Sequence, residues 1–248
     1  MNWSFQLYSA RDFQPWPSVF DMLARLGYAE VEGYDEAYVD AAAMRAQLDR
    51  AGLAMPSGHF SLDMLEDNFP EVLRIAGTLG MRLIACPYVE GPDRPVDADG
   101  WRDFGRRLGR IGKESEAAGL AFAWHNHDYE FERLADGSAP LTHILKAAPE
   151  IGWEIDIAWA IRGGHDPLDW IDRYGGRIVA AHVKDIAPHG QGDDEDGWAD
   201  IGHGTVDWPG LVAALRTRTA AKILVIEHDN PNDLERFARR SLISANRF

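Results

Sequence analysis

The sequence predicts a single closed (β/α)8 barrel over residues 1–248, and three observations carry that expectation. Short apolar runs alternate with amphipathic stretches along the whole chain, without a Pro/Ser-rich linker between halves. Glycines punctuate the same place in successive units. The length of 248 residues is close to what one eight-fold α/β barrel occupies.

The expected strands, in order, are 4–9, 28–33, 53–59, 82–88, 120–127, 152–159, 178–184 and 222–229. Between them lie helical spacings such as Trp101, Phe104, Leu108 and Ile111, and Leu234, Phe237, Ala238, Ser241 and Leu242. Leu26-Gly27-Tyr28, Ala51-Gly52-Leu53, Leu79-Gly80-Met81 and Ala118-Gly119-Leu120 each put a glycine where a helix must turn left-handed before the next strand. Strands separated by helices pair in parallel with right-handed crossovers, and eight units favour closure into the TIM-barrel architecture over an open sheet. No Gly-x-Gly-x-x-Gly follows the first strand, which opposes a dinucleotide fold.

The formal net charge of −15 lacks the basic footprint of a nucleic-acid binder and repels anionic membranes. A lone cysteine, Cys86, fits a reducing compartment, and no apolar run reaches the length of a membrane span, so a cytoplasmic location is expected. The expected partner is a small sugar or keto-sugar, with no nucleic acid and no membrane; homo-oligomer formation is left open.

In such barrels chemistry sits at the C-terminal strand ends. Here those ends carry Glu32, His59, His125-Asn126-His127-Asp128, Asp156, His182 and Glu227. Strand alternation places His125 and His127 with the small Ala121 and Ala123, hence toward the barrel axis, and Phe122 and Trp124 toward the helices. Imidazoles and carboxylates from different strands surround a hard or borderline divalent ion; Mn²⁺ is expected, with Mg²⁺, Co²⁺ or Zn²⁺ as alternatives. Such an ion polarises a carbonyl and its adjacent hydroxyl, and a nearby carboxylate or histidine moves the α-proton. Catalytic candidates are therefore Glu227, Glu130, His127 and Lys184. Lys184 is either an ammonium that steadies an enolate oxygen or a salt-bridge partner of Asp185. His59 and Glu32 are substrate contacts or supports for the ligands, and Tyr8 and Trp159 are candidate sugar-stacking rings or barrel core.

The loop Gly202-His203-Gly204-Thr205-Val206-Asp207-Trp208 lies where many barrels bind phosphate, or it simply turns the chain before a helix capped by Asp207. The acidic Asp193-Asp194-Glu195-Asp196 just before it opposes phosphate and reads as a solvated loop or lid.

Several of these strings together resemble the sugar phosphate isomerase/epimerase family of xylose isomerase-like barrels, over essentially the whole chain. They are Tyr8-Ser9-Ala10-Arg11, Ser57-Gly58-His59, His125-Asn126-His127-Asp128-Tyr129-Glu130-Phe131, Glu154 through Trp159, Arg177 through Asp185, Gly202 through Trp208 and Ile226 through Asp229. The resemblance implies a metal held by Asp156, His182 and Glu227 at strand ends 6, 7 and 8, with a fourth ligand on strand 5. Family isomerases place a glutamate there; this chain has His125, and Glu130 five residues on, so either is the expected fourth ligand. It implies a sugar isomerase or epimerase, with a lyase or dehydratase acting on a keto-sugar, keto-glycoside or inosose as the alternative. Endonuclease IV-like repair enzymes share the fold but are opposed by the charge. A non-catalytic sugar-binding barrel is the remaining alternative.

Overall fold

The computed structural model describes residues 3–248. Its barrel strands are β1 (Trp3–Gln6), β2 (Glu30–Gly33), β3 (Ala54–His59), β4 (Leu83–Cys86), β5 (Ala121–His125), β6 (Gly152–Asp156) and β7 (Ile178–Val183). After these come β8 (Asp185–Ile186), β9 (Trp198–Ala199) and the last barrel strand, β10 (Ile223–Ile226). The closed order is β1-β10-β7-β6-β5-β4-β3-β2, parallel at every pairing, as expected. The sequence reading gave no hint of β8 and β9, which form a separate antiparallel pair above the barrel.

The strands are shorter than their apolar runs suggest. β5 stops at His125 rather than His127, and β6 stops at Asp156 because Asp156 caps the helix Ile157–Arg162 through Trp159 N. Gly27, Gly52 and Gly80 end their helices in the left-handed conformation, as their spacing predicted. The helix Ala98–Ala117 buries Trp101, Phe104, Leu108 and Ile111, one face of the 3.6-residue period.

Alternation along the strands produces two cores. Phe5, Trp124, Trp153 and their neighbours fill the layer between strands and helices. Inside the barrel, Leu83, Ala85, Ala123, Ala180, Ile223 and Val225 form a small apolar floor. Three of the six are alanines, packed beside the larger Leu83, Ile223 and Val225, and the polar side chains stack above this floor.

Arg177 locks one end of the barrel. Its guanidinium donates to the carbonyls of Leu145 at 3.1 Å, Ala148 at 2.6 Å and Ile151 at 2.5 and 2.8 Å, tying the approach to β6 onto the start of β7. Arg177→Ala strands these acceptors and is expected to cost about 2–4 kcal/mol, read as a lowered urea midpoint with an unchanged m-value.

Candidate active site

Above the apolar floor, side chains from six strands form a buried polar layer. Glu32 sits at its centre and is fully buried: its Oε1 accepts from Gln6 Nε2 at 2.9 Å and its Oε2 from Ser57 Oγ at 2.5 Å. His182 Nε2 lies 2.7 Å from Glu32 Oε1, while the other ring nitrogen, Nδ1, lies 2.7 Å from Glu227 Oε2. His59 Nε2 pairs with Glu154 Oε2 at 2.7 Å and stands 3.3 Å from Glu32. Glu154 shares its strand face with Asp156, two residues on, and belongs to the site although the sequence reading did not single it out. The period-2 rule could have found it.

One step outward, Lys184 Nζ is surrounded by Asp229 Oδ1 at 2.7 Å, Glu227 Oε2 at 2.9 Å and Asp156 Oδ2 at 3.1 Å. Its partners are thus these three carboxylates. Asp185, the alternative partner, instead accepts backbone N–H bonds from Ile186, Gly202, Gly204 and Val206. That accounting also bears on the glycine loop: three of its amides already face a carboxylate, which disfavours phosphate. Asp207 caps the helix Trp208–Arg218, in line with the turn reading. The acidic run is tied down rather than only solvated, with Glu195 accepting from Arg236 and Asn232, and Asp194 from Asn232.

Burial and neighbouring charge set the protonation states. Burial works against charge at His182, yet Glu227, Glu32 and Glu154 raise its pKa well above the ordinary value. Burial likewise opposes the Lys184 ammonium, but Asp156, Asp229 and Glu227 raise its pKa further. Glu227 is held well below the usual carboxylate range by Lys184 and His182 despite its burial. Burial raises Glu154, and the neighbouring Glu32 adds to it. Asp229 is pushed up by burial to about 6. Burial drives His125 well below its ordinary value, with the nearby His182 and His59 adding to the effect.

A cleft of about 960 Å³ opens over this layer, bordered by His59, His125, His127, Lys184, Glu227, Asp229, Tyr8, Tyr88 and Trp159 among others. Tyr8 and Trp159, the expected stacking rings, are both on its wall. His127, beyond the end of β5, packs its ring against Tyr88, Tyr129 and Trp159. Glu32 does not border the cleft; it lies beneath it and supports His182 and His59. Glu130 is also elsewhere: its carboxylate accepts from Trp124 Nε1 at 3.0 Å and His127 N at 2.9 Å, on the helix side of β5. Trp124 points outward, so the residue bonded to its indole is drawn away from the axis. Asn126, between the two histidines, accepts from Trp153 Nε1 and Asp156 N and so pins β5 to β6.

Two groups of ligand atoms converge to within 4.8 Å among the described residues. The outer one, around Lys184, is Asp156, His182 and Glu227; the inner one, beside Glu32, is His59, His125, Glu154 and His182, of which His59 and His125 also border the cleft. The outer group fits a divalent cation chemically. It offers one imidazole and two carboxylates, and the buried Asp156 Oδ2 has the Lys184 ammonium as its charged neighbour at 3.1 Å.

A closed parallel barrel with an imidazole–carboxylate layer under its C-terminal mouth defines a class of barrels that hold their chemistry at the strand ends. The sequence model of the family described as xylose isomerase-like TIM barrel matches residues 20–245, and the chain belongs to that family. Among solved structures, it is similar to a sugar phosphate isomerase/epimerase from Parabacteroides distasonis ATCC 8503 (TM-score 0.79, 22% identity, covering 97% of this chain and 92% of that one). It also resembles the probable 3-DHS dehydratase AsbF of Bacillus anthracis (TM-score 0.76, 12% identity, 99% of each chain). A third is the IOLI protein with a binding zinc atom (TM-score 0.76, 13% identity, 100% of this chain and 96% of that one). No curated protein matches the sequence significantly.

The depressed His125 pKa has a defined sign. The folded chain keeps His125 neutral where the unfolded chain takes up a proton, so its contribution is present above the ordinary imidazole value of 6.5 and is lost as pH falls below it. Chelator-treated His125→Gln is therefore expected to lose less stability than the parent between pH 7 and pH ~5 by urea unfolding.

Proposed function

We propose that the protein is a divalent-metal-dependent isomerase or epimerase of a sugar or keto-sugar, working by removal of a proton α to a carbonyl. The observation that supports this most is Glu227, a carboxylate held ionised at the edge of the cleft, beside Asp156 and His182. Asp156, His182 and Glu227 would hold the cation, with His125 as the nearest strand-5 imidazole; Mn²⁺ is the preferred ion and Zn²⁺ an alternative. When bound, the cation supplies Lewis-acid polarisation of a carbonyl and its neighbouring hydroxyl.

The remaining roles belong to the chain. Glu227 accepts the α-proton: it is the carboxylate of this group that borders the cleft, and its ionised form is the one able to take a proton. The Lys184 ammonium, beside Glu227, stabilises negative charge developing on a substrate oxygen. His127 stays neutral because burial holds its pKa down, to about 3, so it accepts or donates a hydrogen bond without adding charge. Tyr8, Tyr88 and Trp159 present ring faces to sugar C–H surfaces. Acidic residues Asp35, Asp63, Glu90, Asp93 and Asp196 around the cleft oppose a phosphorylated or nucleic-acid ligand.

One observation favours a second reading. An isomerisation that hands the proton from one glutamate to another needs two at the cleft edge, and Glu130 is turned away. With Glu227 as the one glutamate beside Lys184, the enolate can instead expel a β-leaving group, which is lyase or dehydratase chemistry on a keto-sugar.

Asp156→Ala is expected to abolish stoichiometric uptake of divalent metal at the outer group; a variant that retains wild-type Mn²⁺ content removes Asp156 from the shell. Glu227→Gln should slow exchange of the substrate α-proton with deuterated water by about 10²-fold or more, followed by NMR. Full exchange in that variant would move the base to His127. Loss of water or alcohol from the substrate accompanying exchange selects the lyase.

A further inference from the structure

Two members of the inner ligand group, His59 and Glu154, have no part in this chemistry, and the geometry of the group is that of a cation site. Glu154 Oε2 lies 2.7 Å from His59 Nε2, 3.4 Å from His125 Nδ1 and 3.7 Å from His182 Nε2. In a tetrahedral shell with bonds of about 2.0–2.1 Å, adjacent ligand atoms stand about 3.3 Å apart, so these separations straddle the edge of that tetrahedron. Each ligand comes from a different strand: β3, β5, β6 and β7.

Two buried atoms add independent weight. His125 Nδ1 and Glu154 Oε1 have no hydrogen-bond partner, on residues 2% and 0% exposed. Buried polar atoms are rarely left so. The ion-pair partners of Glu154 are all imidazoles, whereas the outer group already holds the Lys184 ammonium.

We propose that a borderline divalent cation of the zinc type binds in this inner layer, held by His59 Nε2, His125 Nδ1, His182 Nε2 and Glu154 Oε2. Glu32, 3.3 Å from His59 Nε2 and 2.7 Å from His182 Nε2, adds the second carboxylate that balances the charge. The site shares His182 with the outer group and takes His125, the strand-5 imidazole nearest that group, but it does not rest on the reaction proposed there. His182 joins the two: Nε2 faces the inner cation and Nδ1 remains turned to Glu227. A carboxylate on the far nitrogen of a metal-bound imidazole fixes its orientation. With Nε2 on the inner cation, Nδ1 carries the ring proton and donates to Glu227, so inner occupancy orients His182 and leaves Asp156 and Glu227 as the protein ligands of an outer ion.

Co²⁺ titration of the chelator-treated full chain tests this, because tetrahedral Co²⁺ absorbs visible light far more intensely than octahedral Co²⁺. The first equivalent is expected to give the intense tetrahedral spectrum, since no ammonium competes in the inner group. Glu154→Gln and, separately, His59→Gln are expected to weaken that uptake by about 10–100-fold, while Asp156→Asn keeps it. An intense spectrum unchanged in Glu154→Gln, or absent from the parent protein, overturns the proposal. X-ray absorption at the cobalt edge of the parent at one equivalent needs no variant: three imidazoles per cobalt are expected, and one or none refutes the inner site. Loss of the outer uptake alone, with the tetrahedral spectrum intact, bears only on the outer site.

Discussion

His182 is the side chain on which the site depends. Fully buried, it sets one ring nitrogen 2.7 Å from Glu32 in the deep layer and the other 2.7 Å from Glu227 at the cleft. A buried carboxylate is costly unless paired, and three lie around this one ring. Removing the imidazole would leave Glu227 with Lys184 but Glu32 with only His59 among charged neighbours. The ring therefore couples the carboxylates beneath the cleft to Glu227, the carboxylate at its edge.

The barrel makes that coupling possible through its layers. Alternation sends Ala123 and Ala180 inward as an apolar floor and Trp124 and Trp153 outward against the helices. Because Ala85, Ala123 and Ala180 keep that side of the floor low, Glu32, Glu154 and His182 have room to meet at the axis. Hydrogen bonds to the backbone hold the strands beneath the polar network: Asn126 joins β5 to β6, Arg177 joins β6 to β7, and Asp185 gathers the amides of the following loop. None of these three residues borders the cleft.

Charge is distributed along the same axis. Imidazoles dominate the inner level, and carboxylates around one ammonium dominate the outer. This gradient leaves an ionised carboxylate, Glu227, at the outer level and gathers three imidazoles at the inner one. The cleft wall carries Asp35, Asp63, Glu90, Asp93 and Asp196 against Arg11 and Arg107, in keeping with the excess of acidic residues over the whole chain.

Eight parallel strands, their helices and the glycine-capped helix ends were legible in the sequence because each is a local property of backbone preference and hydrophobic period. So was the grouping of Asp156, His182 and Glu227 at successive strand ends, since a parallel barrel brings those ends together whatever its details. The antiparallel pair β8–β9, the exact point where β5 and β6 end, and the inner cage were not. Glu130 shows why. Five residues past His125 it could turn to either side of the strand, and only the packing of Trp124 against the helix layer drew its carboxylate outward. Glu154 likewise reads as an ordinary strand residue until closure sets it against His59 from β3, 95 positions away. Sequence determined which face each residue takes; which residues then meet across the barrel depended on strand register and the closeness of approach, and those were decided by the fold as a whole.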